Sequence, residues 1–311
     1  MQRANMFRRP RQSDWCHKLA ANSSCLLLGL ALTLGINPGA TAEPPTTKLV
    51  IHYIPGSEIY EYRWKLLELA LNHTRATDGP FEMAISDGKL GEISQSRSIV
   101  LLKTGNVDVL TFGSNKEREA ELRPIKIDVL RGMLGYRILL IRKEDEAKFA
   151  ALDPNTLSQQ ISLGFNSQWA DLDILTSNGF KVVTSAGYDN LFYMLAAGRF
   201  DAFPRGLNEA AREIEDRKQE LPSLTMEKTL ALFANYPVFF WVRKNDAALA
   251  DRIERGLKLS LADGSFRQLF QHYYAREIEQ VKQEKRRVLK LNNPLLPPGS
   301  PAPDTSWWWK Q

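Results

Sequence analysis

Short apolar segments alternate with longer stretches of mixed character along residues 48–135. The apolar segments end at glycine, proline, serine or asparagine, which is typical of strands that lead into turns. In the stretches between them, apolar side chains such as Tyr60, Trp64 and Leu67 recur every three or four residues, which predicts helices. The predicted strands are residues 48–54, 81–85 and 107–112, and the predicted helices are residues 60–71 and 91–103.

The same alternation restarts after residue 160. Strands are predicted at 161–165, 181–184 and 200–203, and helices at 167–178, 189–198 and 207–214. This order predicts an α/β fold in which mainly parallel sheets are flanked by helices. Two strands at 136–142 and 238–242 are apolar throughout, so both of their faces are expected to be covered. Because they bracket the second unit, we expect the chain to cross to a second lobe and back along them.

The C-terminal part of the chain changes in character. After residue 246 the pattern predicts two amphipathic helices, followed by a charged and solvated helix over residues 276–290. Residues 291–311 contain five prolines and carry Trp307, Trp308 and Trp309 near their end. Proline disrupts helices, and a cluster of tryptophans seldom remains exposed. This C-terminal tail is therefore expected either to pack onto the body or to contact a partner.

The N-terminal segment, residues 1–42, has the pattern of a cleavable secretory signal. Basic residues precede an apolar run of 11 residues at 26–36, which is too short to cross a bilayer. A Pro-Gly turn and the small residues Ala40 and Ala42 follow, which predicts cleavage after Ala42 and export to the periplasm. The alternative interpretation is a short buried helix. Cleavage would also remove the only cysteines, Cys16 and Cys25.

Charge argues against a nucleic-acid partner. The whole chain carries a formal charge of +5, but residues 1–42 hold five basic residues and one acidic residue. The remaining residues hold 36 basic and 35 acidic groups, so the predicted mature protein is close to neutral. A body of this kind gives no global sign of affinity for a phosphate backbone.

The segment 191–206, which reads LFYMLAAGRFDAFPRG, and the strand end formed by Asp108, Val109 and Gly113 carry a resemblance. They resemble the extracellular solute-binding protein superfamily, family 3, which has the type II periplasmic binding protein fold. The resemblance covers roughly residues 48–275. It implies two lobes joined by two crossing strands, with a cleft that closes on a small molecule. The implied segments are a leader at 1–42, a first lobe at 43–139 and 243–290, a second lobe at 140–242 with hinge strands at its ends, and a tail at 291–311.

The resemblance also implies a function and partners. A monomeric periplasmic protein of this family captures a small polar or anionic, amino-acid-like solute and presents it to a membrane permease of an ABC transporter or to a sensor kinase. The family's amino-acid binders hold the ligand carboxylate with an arginine after a threonine pair. Here Arg118 corresponds best to that arginine, Arg123 competes with it, and the Phe-Ser segment that should follow is missing. Amino-acid specificity therefore stays open.

Ligands of open α/β sheets bind beyond the carboxyl ends of the strands. Residues 166–168 open a predicted helix whose free amides favour an anion, and Arg205 offers a fork for a carboxylate or phosphate. The alternatives are a core position for Trp169, an ion pair for Arg205 and a solvated helix face for Arg118. The predicted ligand-binding residues are Tyr53, Gly113, Ser114, Arg118, Ser167, Trp169 and Arg205.

Signals for catalysis are weak. Residues 86–89 match S-x-x-K and residues 103–105 match K-T-G, but they lie too close together for a penicillin-recognising site. The histidines are scattered singly, so no metal site, cofactor or catalytic residue is predicted. Two alternative functions stay open. One is a dehydratase-like enzyme on the same fold with Glu209 or Asp201 as acid or base, and the other is a ligand-free sensor or adaptor that docks through its tail.

Overall fold

The computed structural model describes residues 47–86 and 93–310. The predicted leader with Cys16, Cys25 and the cleavage site after Ala42 lies outside the described residues, as does most of the S-x-x-K match at 86–89. The described residues belong to one compact unit that begins at Pro44. Within them, no helix combines the length and hydropathy required to cross a membrane.

Strands and helices alternate through most of the described chain, as the sequence predicts. The strands are β1 Leu49–Tyr53, β2 Phe81–Ile85, β3 Leu110–Gly113, β4 Leu122–Ile125, β5 Tyr136–Arg142, β6 Ser162–Asn166, β7 Lys181–Ser185, β8 Phe203–Gly206, β9 Leu224–Met226, β10 Leu230–Ala234, β11 Val238–Arg243 and β12 Arg287–Leu291. The helices are α1 Glu61–His73, α2 Arg75–Asp78, α3 Gln95–Lys103, α4 Lys116–Glu121, α5 Glu146–Ala151, α6 Leu157–Gln160, α7 Leu172–Ser177, α8 Tyr188–Ala196, α9 Leu207–Arg217, α10 Ala247–Ala262, α11 Ser265–Tyr273 and α12 Ala275–Glu284.

Helices flank four sheets, so the predicted α/β architecture is confirmed. The pairs β1–β2 and β6–β7 are parallel, as predicted from the strand-helix-strand order. Strand β11 lies between β3 and β4 and runs antiparallel to both. The largest sheet has the order β12-β10-β5-β8, with β9 also on β5, and combines a parallel β10–β12 pair with antiparallel pairs around β5. The two apolar strands β5 and β11 therefore belong to different sheets.

Helices α1 and α10 pack against each other at one glycine. A Cβ atom at Gly256 would lie 1.9 Å from the carbonyl oxygen of Ala70 on α1. Only glycine permits this approach, which buries Leu67, Leu71 and Leu257 completely. Helix α10 also contacts β4 and β11, so the pair lies against the sheet of β3, β11 and β4.

Two predicted helices differ in extent from the observed ones. The helix predicted at 167–178 begins only at Leu172, because the Asn166 side chain accepts a hydrogen bond from the amide of Gln168 and holds a local turn there. The charged helix predicted at 276–290 ends at Glu284, after which Lys285 adopts a left-handed conformation with φ 44°. Residues 287–291 instead form β12, because the buried Arg286 side chain fixes the chain beside β10.

The tail packs onto the body, which is the first of its two predicted outcomes. Trp308 is 3% exposed, and its Nε1 donates a 2.8 Å hydrogen bond to the carbonyl of Arg131. Trp309 meets Tyr136 and Phe233 edge to face at centroid distances of 5.1 and 4.9 Å. The tail thus contributes Trp308 to the hydrophobic core, with Trp307 and Trp309 packed against it.

The first residues of the tail join two distant helices. Asn292 exchanges two hydrogen bonds of 2.7 and 2.9 Å with the side chain of Asn178, directly after α7. The carbonyl of Leu295 accepts a 3.1 Å hydrogen bond from the amide of Lys116, the first residue of α4. The tail therefore links the end of α7 to the beginning of α4.

Candidate functional site

The end of β3 brings together three of the predicted site residues. A Cβ atom at Gly113 would lie 2.3 Å from the ring of Tyr236, so this ring packs directly on the glycine backbone. Ser114 is fully buried, and its amide donates a 2.9 Å hydrogen bond to the carbonyl of Pro237. Arg118 reaches back from α4 and donates to the carbonyl of Gly113. Close packing at the strand end is therefore what positions the arginine.

Arg118 is a buried cation that contacts only neutral groups. Its other recorded acceptor is Oε1 of Gln95 at 3.2 Å, and the guanidinium also lies over the rings of Phe112 and Trp241 at 5.0 and 5.7 Å. Its Nε is buried without a hydrogen-bond partner, and within the described chain no carboxylate lies within 4.0 Å of the guanidinium. Burial lowers the pKa of Arg118, because desolvation disfavours the charged form.

Arg137 on β5 and Asp171 before α7 form an ion pair with an N–O distance of 2.5 Å. Both side chains are only 11% exposed. Together with Tyr236 and Leu291 they line a cavity of about 20 Å³, which has room for about one water molecule. Burial raises the pKa of the Tyr236 hydroxyl, and the negative charge of Asp171 raises it further, so the hydroxyl is a neutral hydrogen-bonding group.

Arg205 at the end of β8 is fully occupied by partners within the chain. It donates to both oxygens of Glu213 at 2.7 and 2.6 Å, and it lies 3.0 Å from Glu209. Its guanidinium stacks over Trp169 at 4.6 Å, and Trp169 in turn stacks on Phe203. The alternative interpretations, an ion pair for Arg205 and a packing role for Trp169, therefore describe these two residues in this structure.

Glu209 connects the charged groups into one set. Burial raises its pKa, but the guanidinium groups of Arg205, Arg137 and Arg63 outweigh burial and hold the pKa below its usual range. One oxygen of Glu209 also accepts a 3.0 Å hydrogen bond from the amide of Gly206. The buried charge cluster consists of Arg63, Arg118, Arg137, Asp171, Arg205, Glu209 and Glu213.

Arg63 on α1 is a second buried cation with no carboxylate partner. Its only hydrogen bond to a described residue joins Nη1 to the carbonyl of Thr111 at 3.5 Å, the outer limit for such a bond. Its guanidinium also lies 4.6 Å from the ring centre of Tyr60. Its Nε, the Thr111 hydroxyl and both polar atoms of Asn208 are buried without hydrogen-bond partners. The cluster therefore retains unused polar groups in its interior.

The remaining predicted residues lie apart from these unused groups. Tyr53 packs on Trp64 at a centroid distance of 4.8 Å. Ser167 is exposed and its amide donates to the carbonyl of Ser185, and the helix predicted to begin at residues 166–168 begins only at Leu172. Arg123, the competitor of Arg118, has a 42% exposed side chain 3.6 Å from Asp251. Arg118, not Arg123, lies in the cluster.

Sequence reasoning missed several cluster members, and one had a detectable signal. Arg63 lies three residues after Tyr60 and four before Leu67, so it belongs to the apolar face of α1, where a cation is unusual. Arg137 and Asn208 gave no such signal, because their burial depends on which strands and helices meet around them.

The cluster offers little for catalysis or metal binding. Where the chain is described, no group of three histidine, cysteine, aspartate or glutamate side chains is placed to hold a metal ion. Burial raises the pKa of Asp201, but hydrogen bonds from Lys148 and Ser162 outweigh this and lower it overall. Glu209 is likewise held in its charged form. Neither carboxylate is tuned toward the neutral range that a general acid requires.

Known proteins were compared with the chain by sequence and by structure. No family model and no curated protein matches it in sequence. Among solved structures, an ancestral arginine-binding protein bound to arginine has a TM-score of 0.50 at 15% identity, over 73% of this chain and 98% of that one. The BvgS VFT2 domain of Bordetella pertussis has a TM-score of 0.52 at 16% identity, over 73% and 93%. The ancestral amino-acid-binding protein AncCDT-1, a precursor of cyclohexadienyl dehydratase, has a TM-score of 0.51 at 15% identity, over 73% and 95%.

These likenesses establish the fold. The chain has the two-lobed α/β fold of type II periplasmic binding proteins, as the sequence resemblance implied. The solved structures with this fold include amino-acid-binding proteins and the BvgS VFT2 domain. At 15–16% identity their ligands do not transfer to this chain.

Proposed function

We propose that this protein is an exported solute-binding protein that closes its two lobes around a small polar or anionic molecule. The observation that carries the proposal is the buried charge cluster, where Arg63 and Arg118 have no carboxylate within 4.0 Å among the described side chains. A buried cation is costly unless an anion accompanies it. A bound solute would supply that anion.

The arrangement of strands supports a two-lobed closure. The sheets favour lobe boundaries that differ from 43–139 with 243–290 and 140–242. Strands β1 to β4 and β11 would form the first lobe, and β5 to β10 with β12 the second, so that the chain crosses before Tyr136, after Ala234 and again before Arg287. Arg63 and Arg118 would then belong to the first lobe and Arg205 and Glu209 to the second. Closure brings these groups together and excludes water, and a ligand that contacts both lobes favours the closed state.

Opening of the cleft would require the tail to release one lobe. Asn292 is bonded to Asn178 in the proposed second lobe, while Leu295 is bonded to Lys116 in the proposed first lobe. The closed form, with this link in place, is the form that a membrane permease or a sensor kinase would recognise. Export depends on the leader at residues 1–42, whose apolar run and Ala40-Thr41-Ala42 site support it.

The two alternative functions have less support. The enzyme alternative requires an acid or a base, but the lowered pKa values of Glu209 and Asp201 make each carboxyl group a poor acid near neutral pH and a weak base. The docking alternative requires free tryptophans, but Trp307, Trp308 and Trp309 all pack against aromatic rings of the body. Neither alternative accounts for the unpaired arginines.

A thermal-shift screen tests the proposal. The protein without its predicted leader is heated with amino acids, organic acids and oligopeptides in turn. A ligand at 100 times its Kd adds about 2.7 kcal/mol to the free energy of unfolding, which raises Tm by roughly 5 to 10 °C. Calorimetry should then give one site per chain and no product. If no compound raises Tm, solute binding is contradicted and the sensor or adaptor alternative is favoured.

A further inference from the structure

The unpaired cations and the paired carboxylates together define a class of ligand. We infer that the solute is a carboxylate-type organic anion that carries no ammonium group, so that it is not an amino acid. This inference rests on the proposed function. The inferred ligand differs from those of several proteins with similar structures, which bind amino acids.

The first step is the balance of charge in the buried charge cluster. It contains four guanidinium groups and three carboxylates, so a net positive charge remains inside the protein. The three carboxylates are Asp171, Glu209 and Glu213, and each lies within 3.0 Å of a guanidinium nitrogen. Arg205 serves two of them. The excess charge therefore falls to Arg63 and Arg118.

The second step is the position of these two cations. Arg63 bonds to the carbonyl of Thr111 and Arg118 to that of Gly113, two residues further along β3. Carbonyls two residues apart point to the same edge of a strand and are about 6.6 Å apart. The two guanidinium groups therefore bond to the same edge of β3, and the inference places the anion between them.

The third step is the supply of unused donors. Nε of Arg63, Nε of Arg118, the Thr111 hydroxyl and the Asn208 amide are each buried without a hydrogen-bond partner. Oδ1 of Asn208 lies beside Gly206, 3.0 Å from the position a Cβ would occupy, next to Glu209. Glu209 feels the charge of Arg63, so the two sides of the cluster are close. An anion between them would satisfy donors from both sides.

The fourth step concerns the lack of a free carboxylate that could pair with the ammonium group of an amino acid. An amino acid brings an ammonium group, which needs a free carboxylate in a buried site. In the cluster each carboxylate already faces a guanidinium. Withdrawing Asp171 would leave Arg137 without its partner, and Glu209 and Glu213 share Arg205, with Glu209 also held by the amide of Gly206. An ammonium group would also add to the positive excess. The site therefore discriminates against amino acids by leaving their ammonium group unpaired.

Matched ligand pairs test the inference in the wild-type protein. Succinate is compared with aspartate, and glutarate with glutamate, by thermal shift and by calorimetry. In each pair the acid without the ammonium group should bind at least 10-fold more tightly. Tighter binding of the amino acids would overturn the inference while leaving the proposed function intact. If no carboxylate binds, the inference is contradicted, and the proposed function is contradicted with it only when the thermal-shift screen finds no other polar solute either.

A pair of variants tests the assigned residue. Arg63→Gln should weaken binding of the best carboxylate by roughly 10- to 100-fold, because it removes a charge-assisted contact in a buried site. Arg123→Gln is the matched control, since Arg123 is exposed and lies outside the cluster, and it should stay within about 2-fold of wild type. Both variants are first checked for an unchanged far-ultraviolet circular dichroism spectrum. Equal affinities of the folded Arg63→Gln variant and wild type would contradict the assignment.

Discussion

Arg286 and Arg63 are both buried arginines, but they differ in what surrounds them. The side chain of Arg286 is 1% exposed, lies 3.5 Å from a 2% exposed Glu227 and 2.6 Å from Glu284, and donates to the carbonyl of Leu230 at 3.0 Å. Arg63 has one distant carbonyl at 3.5 Å and no carboxylate within 4.0 Å in the described chain. One cation has its anions within the chain and the other does not.

This difference separates a structural arginine from a candidate binding arginine. Glu227 accepts hydrogen bonds from the amides of Thr229 and Leu230 as well as facing Arg286, so it holds the beginning of β10. Arg286 precedes β12, which pairs with β10. The pair therefore joins two strands of the largest sheet. Burial alone does not identify a binding residue, whereas burial without a counter-ion does suggest one.

The largest expected effect comes from breaking the buried ion pair of Arg286 and Glu227. Arg286→Met leaves Glu227 buried without its cation, which should lower the free energy of unfolding by about 3 to 5 kcal/mol. Urea unfolding of the ligand-free protein, followed by circular dichroism, measures the change. Arg276→Met on the exposed face of α12 is the control and should change stability by less than about 0.5 kcal/mol.

An Arg286→Met variant as stable as the wild type would contradict the comparison between arginines with and without a buried counter-ion. It would show that the amides of Thr229 and Leu230 are enough to hold the Glu227 charge. The absence of a counter-ion at Arg63 would then be weaker evidence for a ligand.

Replacing Arg63 should change the stability of the protein far less than replacing Arg286. Arg63→Met removes a buried charge and leaves no carboxylate alone, because Glu209 keeps its contact with Arg205. The free energy of unfolding of the ligand-free protein should therefore change by no more than about 1 kcal/mol. The same urea titration measures it. A loss of several kcal/mol would mean that Arg63 stabilises the fold, and its role in binding would lose its physical basis.

The sequence predicted much of the frame of this site. Strand-helix alternation placed β3, with Gly113 and Ser114 at its end, and it predicted a strand at 200–203 followed by Arg205, which in the structure lies within β8. Such predictions succeed because the periodicity of apolar residues depends mainly on local structure. The resemblance of residues 191–206 added the two-lobed fold, which the structural likenesses support.

The partners of those side chains were not predictable in the same way. Arg205 faces Glu213 eight residues further along the chain, but whether that contact forms depends on how β8 and α9 pack. Arg63 and Thr111 come from segments 48 residues apart, and nothing local in either segment signals the contact. Charge partners depend on tertiary packing, so the sequence could propose cations but not decide which of them lacked an anion.

The smallest expected effect concerns the pair of His73 and Asp263. Its pH dependence provides a reference for the stability measurements on the Arg286 and Arg63 variants. Burial lowers the pKa of His73, but Nδ1 lies 2.9 Å from the carbonyl of Leu69 and Nε2 lies 2.7 Å from Asp263, and these two acceptors raise the pKa overall. Both ring nitrogens donate only in the protonated form. The stabilising contribution of the protonated His73 side chain is therefore complete below the unfolded pKa of about 6.5. It is lost as pH rises through the higher folded pKa.

Arginine does not titrate in this range, so a slope there reports on His73 and not on the buried cations. The free energy of unfolding should fall slightly as pH rises above about 6.5, and His73→Gln should remove this slope. Urea unfolding at half-unit pH intervals measures it, and His272→Gln, on an exposed histidine, should retain it. If the slope persists in His73→Gln, some other group titrates there, and stability differences between the arginine variants would have to be compared at several pH values instead of one.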